Sequence, residues 1–241
     1  MQNIHRRQFV QGLGSALALA AIGNQPAFAA GIKPGETDLF LVIDMQNCFI
    51  PGGSLAVKEG DAIVPLINKI AQSFKHVVLT QDWHTPDHIS FASQHPGKKP
   101  FEAIKVAYGT QVLWPDHCVQ GTEGAALSKE LSIPQAQLVL RKGYRPTVDS
   151  YSAFLEADRT ATGLGAYLKQ RGLTRVFLAG LATDFCVGWS AIDARKLGFE
   201  AYVIEDACRG IDTGGSLARA WTSMKQAGVH RIRSTDLALS A

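Results

Sequence analysis

The chain has 241 residues, 46% hydrophobic and 19% charged, which is enough for one large domain or two small ones and too apolar for a disordered chain. Its 23 Gly and 10 Pro follow no three-residue period, which excludes a collagen-like fibre. The net charge of +3 falls to +1 (3 − 2) once Arg6 and Arg7 are set apart with the acid-free N-terminal stretch, so the body is too balanced for a nucleic-acid binder.

The first segment, residues 1–29, reads as an export leader. His5-Arg6-Arg7-Gln8-Phe9 gives a basic start, Leu13 to Ile22 is mainly small and apolar, and Ala27-Phe28-Ala29 gives a small-residue cleavage site. The apolar stretch is about half of what a bilayer span needs, so no stable membrane anchor is expected after its removal. The arginine pair followed by an aromatic residue resembles a twin-arginine signal, with an ordinary Sec signal or an uncleaved anchor as the alternatives; it predicts the twin-arginine export machinery as a partner, a periplasmic location and a mature domain of residues 30–241. That route carries folded proteins, so a metal could be loaded before export.

Leu39-Phe40-Leu41-Val42-Ile43-Asp44 is a continuous apolar run ending in an acid, the pattern of a strand buried on both faces. The segments 76–80, 137–140, 175–179 and 201–204 repeat it. Between them, 61–74, 164–170, 184–197 and 216–226 carry apolar residues at three- and four-residue spacing and predict helices. The alternation predicts a single α/β domain with an open, mostly parallel sheet and helices on both faces. The largest irregular stretch, 82–121, is too long for a passive connection.

Parallel sheets bind ligands beyond the carboxyl ends of their strands. Asp44, Asp82, Lys142 and the run Thr183-Asp184-Phe185-Cys186 each follow a predicted strand, so two acids, an amine and a thiol meet at one edge. Each alone has a plain structural explanation, as a turn cap, a solvated charge or a small buried hydrophobe. Their common edge points instead to acyl transfer by an activated thiol. Thr183 or Asp184 as N-cap would place Cys186 in the first turn of a helix, where unpaired N–H groups favour thiolate and can receive an oxyanion. Gly180 permits a close backbone approach just before it.

A second cluster starts at Asp82-Trp83-His84. Residues two apart in an extended segment face one side, so Asp82 and His84 can share an ion. Of the seven histidines, His84, His88, His95 and His117 all fall between residues 84 and 117. Imidazole with carboxylate suits zinc, iron or manganese better than calcium. Cys118 beside His117 reads as packing, because neighbours in an extended chain point opposite ways.

The segments Asp44-Met45-Gln46-Asn47-Cys48-Phe49, Gln81-Asp82-Trp83-His84, Trp114-Pro115-Asp116-His117-Cys118, Arg141-Lys142-Gly143 and Gly180-Leu181-Ala182-Thr183-Asp184-Phe185-Cys186-Val187 resemble, in order and spacing, those of the nicotinamidases in the isochorismatase-like cysteine hydrolase superfamily. The resemblance spans Leu39 to Leu237. It implies an isochorismatase-like fold, a catalytic triad of Asp44, Lys142 and Cys186, and an oxyanion hole from the N–H groups of Ala182 and Cys186. It also implies a cis Leu181–Ala182 peptide. Asp82, His84 and His117 become the ligands of a divalent metal, zinc first and iron or manganese as alternatives, with Ser90 or His88 as a possible fourth. Phe49 and Trp114 would sandwich a pyridine ring, with Tyr151 and Leu55 as further pocket wall.

The implied reaction is hydrolysis of nicotinamide, with pyrazinamide as a second small-molecule substrate, through a cysteine thioester. The alternatives are a cysteine amidase for another small carboxamide or carbamoyl compound and a periplasmic metal- or ligand-binding protein without turnover. Many members carry Asp where this chain has Cys48, which leaves a second thiol near the site to compete for oxidants. The four cysteines are expected to remain mostly unpaired, because a free Cys186 leaves at most one intramolecular pair.

Overall fold

A computed structural model describes residues 31–239, and the leader predicted at residues 1–29 lies outside them. None of the described helices is long and apolar enough to cross a membrane.

The sheet grows from β1, Asp38–Ile43, all six residues of which are buried. β1 pairs in parallel with β2, His76–Asp82, on one side and with β6, Arg175–Leu181, on the other. β5, Leu138–Lys142, completes one edge beyond β2, and β7, Glu200–Arg209, and β8, His230–Ile232, complete the other. The order β5-β2-β1-β6-β7-β8 reverses between β1 and β6, which makes that seam the switch point where such sheets open a crevice.

Alternate residues of β1 feed two cores. Phe40 and Val42 pack with Val64, Ile67 and Ile70 of helix α1, Val64–Ala71. Leu39, Leu41 and Ile43 pack with Leu164 and Leu168 of α2, Leu164–Gln170, with Ala191 and Ala194 of α3, Gly188–Lys196, and with Met224 of α4, Ser216–Gln226. Helices therefore cover both faces, as the alternating pattern predicts. On the α1 face, Phe40, Phe74, Phe177 and Tyr202 form a chain of ring contacts at 5.2, 5.2 and 4.6 Å. Each buried aromatic or aliphatic side chain of this kind contributes about 1.5–3 kcal/mol.

The structure adds elements that the apolar pattern does not show. The irregular stretch 82–121 contains a hairpin, β3 Ala103–Val106 and β4 Gly109–Val112, in a separate two-stranded sheet. β8 has only three residues, one of them buried, too few for a periodic signal. The helix expected over 184–197 is broken in two: a wide π turn, Thr183–Val187, precedes α3.

Candidate active site

Asp44, Asp82 and Lys142 sit at the carboxyl ends of β1, β2 and β5, and Cys186 lies in the π turn after β6. The β1–β6 seam is drawn tight there: a Cβ on Gly180, whose φ is +121°, would come within 2.1 Å of the Ile43 carbonyl oxygen. Only glycine allows that approach. The Leu181–Ala182 peptide is cis, and Ala182 precedes the turn that carries Cys186.

Lys142 is fully buried and lies between Asp44, Asp82 and Cys186. Its Nζ is 2.8 Å from Asp44 Oδ2 and 3.3 Å from Cys186 Sγ, and it also donates to Asp82 Oδ1 and to the Ser150 carbonyl at 3.2 Å. Burial opposes its charge, but Asp44 and Asp82 hold its pKa well above the usual lysine value. Asp44 is fixed by Thr80, whose Oγ1 donates to Oδ1 at 2.5 Å and accepts the Asp44 N–H at 3.1 Å. Asp44 Oδ2 accepts no aligned hydrogen bond, which leaves that oxygen in ion contact with Lys142 and open to a proton.

Burial raises the Asp44 carboxyl while Lys142 lowers it, and the net direction is upward, as suits a base that must accept a proton. Burial also pushes the Cys186 thiol well above its ordinary value against the pull of Lys142. Burial therefore opposes the thiolate expected from a helix N-terminus, because a residue only 5% exposed loses more in desolvation than its neighbours return. Nor do Thr183 and Asp184 cap that turn. Its N-cap is Ala182, and the Asp184 carboxylate instead accepts the N–H groups of Ile211 and Asp212 and the Ser216 hydroxyl.

His84 and His117 are aimed by backbone carbonyls. His84 Nδ1 donates to Gly143 O at 2.8 Å and His117 Nδ1 to Pro115 O at 2.8 Å, which fixes each tautomer and turns both Nε2 atoms toward Asp82 Oδ2, at 3.7 and 3.9 Å. Gly143 makes room for this, since a Cβ there would meet the His84 ring at 2.5 Å. Burial lowers the His117 pKa to about 4, so the ring is neutral and its lone pair free near neutral pH. Burial raises the Asp82 carboxyl, but Lys142 and the two histidines outweigh it and hold Asp82 below the usual range. Two imidazoles and a carboxylate converging in this way fit zinc, iron or manganese. Gln46 braces the arrangement by donating to Asp82 O and accepting the Asp82 N–H, both at 2.8 Å.

The two candidates for a fourth ligand are bonded to each other: His88 Nδ1 and Ser90 Oγ are 2.7 Å apart. His88 belongs to a different group of donor atoms, with His84 and Asp149, and not to the Asp82–His84–His117 set. His95 is outside the site, its ring bonded to Ile89 O at 2.8 Å.

These groups surround a cavity lined by Phe49, Leu55, Trp114 and Tyr151, all four pocket residues expected from the sequence. Asp82, His84, His117, Ala182 and Cys186 also face it, whereas Asp44 and Lys142 sit behind the thiol. Phe185, Ile211 and Asp149 complete the wall and were not expected from the sequence. Phe185 stands edge-on to Trp114 with ring centres 4.8 Å apart. Its position next to Cys186 was the available signal. Asp149 and Ile211 had no such signal.

Cys48 and Cys118 form a disulfide, while Cys186 and Cys208 are free and buried. This corrects two expectations: Cys48 is not a spare thiol, and Cys118 is not simple packing. The alternation argument fails because Cys118 has φ +46°, outside extended geometry.

The isochorismatase domain model matches residues 38–236. The chain is 54% identical to a nicotinamidase of Acinetobacter baylyi over 207 residues, 86% of this chain and 97% of that one. Among solved structures, a nicotinamidase and pyrazinamidase of Acinetobacter baumanii superposes with a TM-score of 0.83 at 58% identity, covering 84% of this chain and 98% of that one. The pyrazinamidase of Pyrococcus horikoshii, solved in complex with zinc, superposes with a TM-score of 0.68 at 34% identity, covering 82% of this chain and 99% of that one.

Proposed function

The chain belongs to the isochorismatase domain family, and from that premise we infer that it is an amidohydrolase converting nicotinamide to nicotinate and ammonia at Cys186. One observation carries the chemistry: Asp44 Oδ2, Lys142 Nζ and Cys186 Sγ lie in sequence at 2.8 and 3.3 Å behind an aromatic-walled cavity.

Asp44 accepts the Cys186 proton, and the sulfur attacks the carboxamide carbon. The N–H groups of Ala182 and Cys186 receive the oxyanion, and Lys142 stabilises the charge that develops beside it. Asp44 returns the proton to the amide nitrogen, the C–N bond breaks and ammonia leaves a thioester. Water then loses a proton to Asp44 and attacks the thioester, nicotinate departs and the thiol is reprotonated. Phe49 and Trp114 hold the ring over Cys186 by face and edge contacts.

Asp82, His84 and His117 would hold a divalent metal, for which zinc is the favoured identity given the donor set and the zinc in the Pyrococcus relative. The bound ion would supply a Lewis-acidic anchor for the pyridine nitrogen, so its contribution is orientation.

We also propose that residues 1–29 direct the chain to the periplasm through the twin-arginine machinery. Arg6-Arg7, the short apolar stretch and the Ala27-Phe28-Ala29 site support this reading. The Cys48–Cys118 disulfide adds support, since such bonds persist in oxidising compartments.

Ammonia release from nicotinamide, pyrazinamide and benzamide, with and without chelator, tests the enzyme reading. Nicotinamide and pyrazinamide should be hydrolysed, and benzamide, which has no ring nitrogen, should fall on the order of a hundredfold in kcat/KM. Comparable rates for benzamide, or indifference to chelation, would reduce the protein to a generic cysteine amidase.

A further inference from the structure

Asp149 is a buried carboxylate that the reaction above leaves unused. It is 2% exposed and lines the same cavity as Asp82, His84 and His117. Gln111 Nε2 donates to its Oδ2 at 2.6 Å and the Ser150 N–H to its Oδ1 at 2.8 Å. Gln111 is itself held in place: its Oε1 accepts the Tyr108 hydroxyl at 2.9 Å, and its Nε2 also reaches Val112 O at 2.7 Å and Tyr151 Oη at 3.3 Å. The Asp149 N–H closes the ring of bonds on Tyr108 Oη at 3.3 Å.

All of these partners are neutral. Among the described residues, none of the ion pairs includes Asp149, although a buried carboxylate without a cation is costly. A donor oxygen of Asp149 lies within 4.8 Å of ring nitrogens of His84 and His88, and His84 also belongs to the Asp82–His84–His117 set. A divalent cation beside His84 would therefore lie next to a buried carboxylate that no cation pairs among the described residues.

We propose that Asp149 is the second carboxylate of the cation site, balancing the ion's charge next to His84 rather than replacing Asp82, His84 or His117 as a ligand. The proposal rests on the metal assigned above and makes Asp149 a positioning residue for that ion. Its hydrogen-bonded ring through Gln111 and Tyr108 fixes the carboxylate without neutralising it, so the charge remains available to the ion. No local sequence pattern marks it, because its partners come from the β3–β4 hairpin and not from the catalytic strands.

The test is zinc affinity of the mature protein, measured by competition with a chelating indicator, so that it does not depend on turnover. Asp149→Asn keeps the shape and removes the charge, and should weaken zinc about 10- to 100-fold. Asp149→Glu keeps the charge and should recover much of that loss. Gln111→Leu leaves the charge but loosens it, with a severalfold loss expected, and serves as the measurement should Asp149→Asn fail to fold. Asp82→Asn provides the control. If Asp82→Asn loses zinc while Asp149→Asn binds it within about twofold of the unsubstituted protein, the proposal is overturned and the metal reading stands. Equal losses for Asp149→Asn and Asp149→Glu would overturn it too, by showing that shape and not charge is needed. If the unsubstituted protein takes up no divalent metal, the metal reading and this proposal fail together.

Discussion

Asp44, Lys142 and Cys186 come from a different kind of structure than Asp82, His84 and His117, and of the first three only Cys186 lines the cavity that the second three face. Asp44, Lys142 and Cys186 follow strands of a sheet whose core is buried on both faces, and buried charge contacts hold them. His84 and His117 sit in the long stretch between β2 and β5 and are aimed by loop carbonyls, those of Gly143 and Pro115. Moving a triad residue means moving the sheet register, whereas the ligands depend on contacts between loops, such as the His84–Val119 bridge. Asp82 belongs to both regions: one oxygen faces Lys142 and the other faces the two imidazoles. In the proposed reaction, bond breaking falls to the strand-end set and ring recognition to the loop-held set, with one carboxylate joining them.

The largest effect should come from Cys186→Ala, which removes the nucleophile. Turnover should fall by at least about 10⁴-fold, while metal content stays unchanged because the sulfur is not a ligand. Metal analysis and ammonia release together check this, and loss of metal would show that the two regions cannot be separated. His84→Ala makes the opposite cut. It should remove the metal and bring nicotinamide down about a hundredfold toward the benzamide rate, with Cys186 still alkylated by iodoacetamide. An inert thiol in that variant would break the comparison from the other side.

Thr80→Val should have the smallest of these effects and sharpens the account of the base. It deprives Asp44 Oδ1 of its donor, so the carboxylate is less firmly oriented. A lost buried hydrogen bond of about 1–3 kcal/mol predicts kcat reduced roughly 10- to 100-fold with KM little changed. Thr80→Ser should restore most of the loss. A change confined to KM would place Thr80 in substrate binding instead.

How much of this could be read from the sequence depends on how local each signal is. β1 declares itself as an apolar run because it is buried on both faces, and the strand-end rule then collects Asp44, Asp82, Lys142 and Cys186. The β3–β4 hairpin stays hidden because its residues are mostly exposed and its alternation weak. Asp184 reads as a cap in the sequence because its actual partners, Ile211, Asp212 and Ser216 at the start of α4, are distant along the chain. The Cys48–Cys118 pair leaves no local signal for a similar reason: a left-handed residue at Cys118 defeats any rule that assumes an extended chain.

That disulfide also shapes the chain when it is not folded. It joins residues 70 apart, and the closed segment contains Asp82, His84 and His117, while Asp44, Lys142 and Cys186 all lie outside it. The oxidised unfolded protein is therefore a ring carrying Asp82, His84 and His117, with two tails carrying Asp44, Lys142 and Cys186. Closing a ring of this size removes conformational freedom equivalent to about 4 kcal/mol from the unfolded ensemble. Reduction returns that freedom and lowers stability without touching the catalytic thiol. Part of the protein's stability therefore depends on the redox state of its surroundings, while Cys186 stays outside the ring as a free, buried thiol.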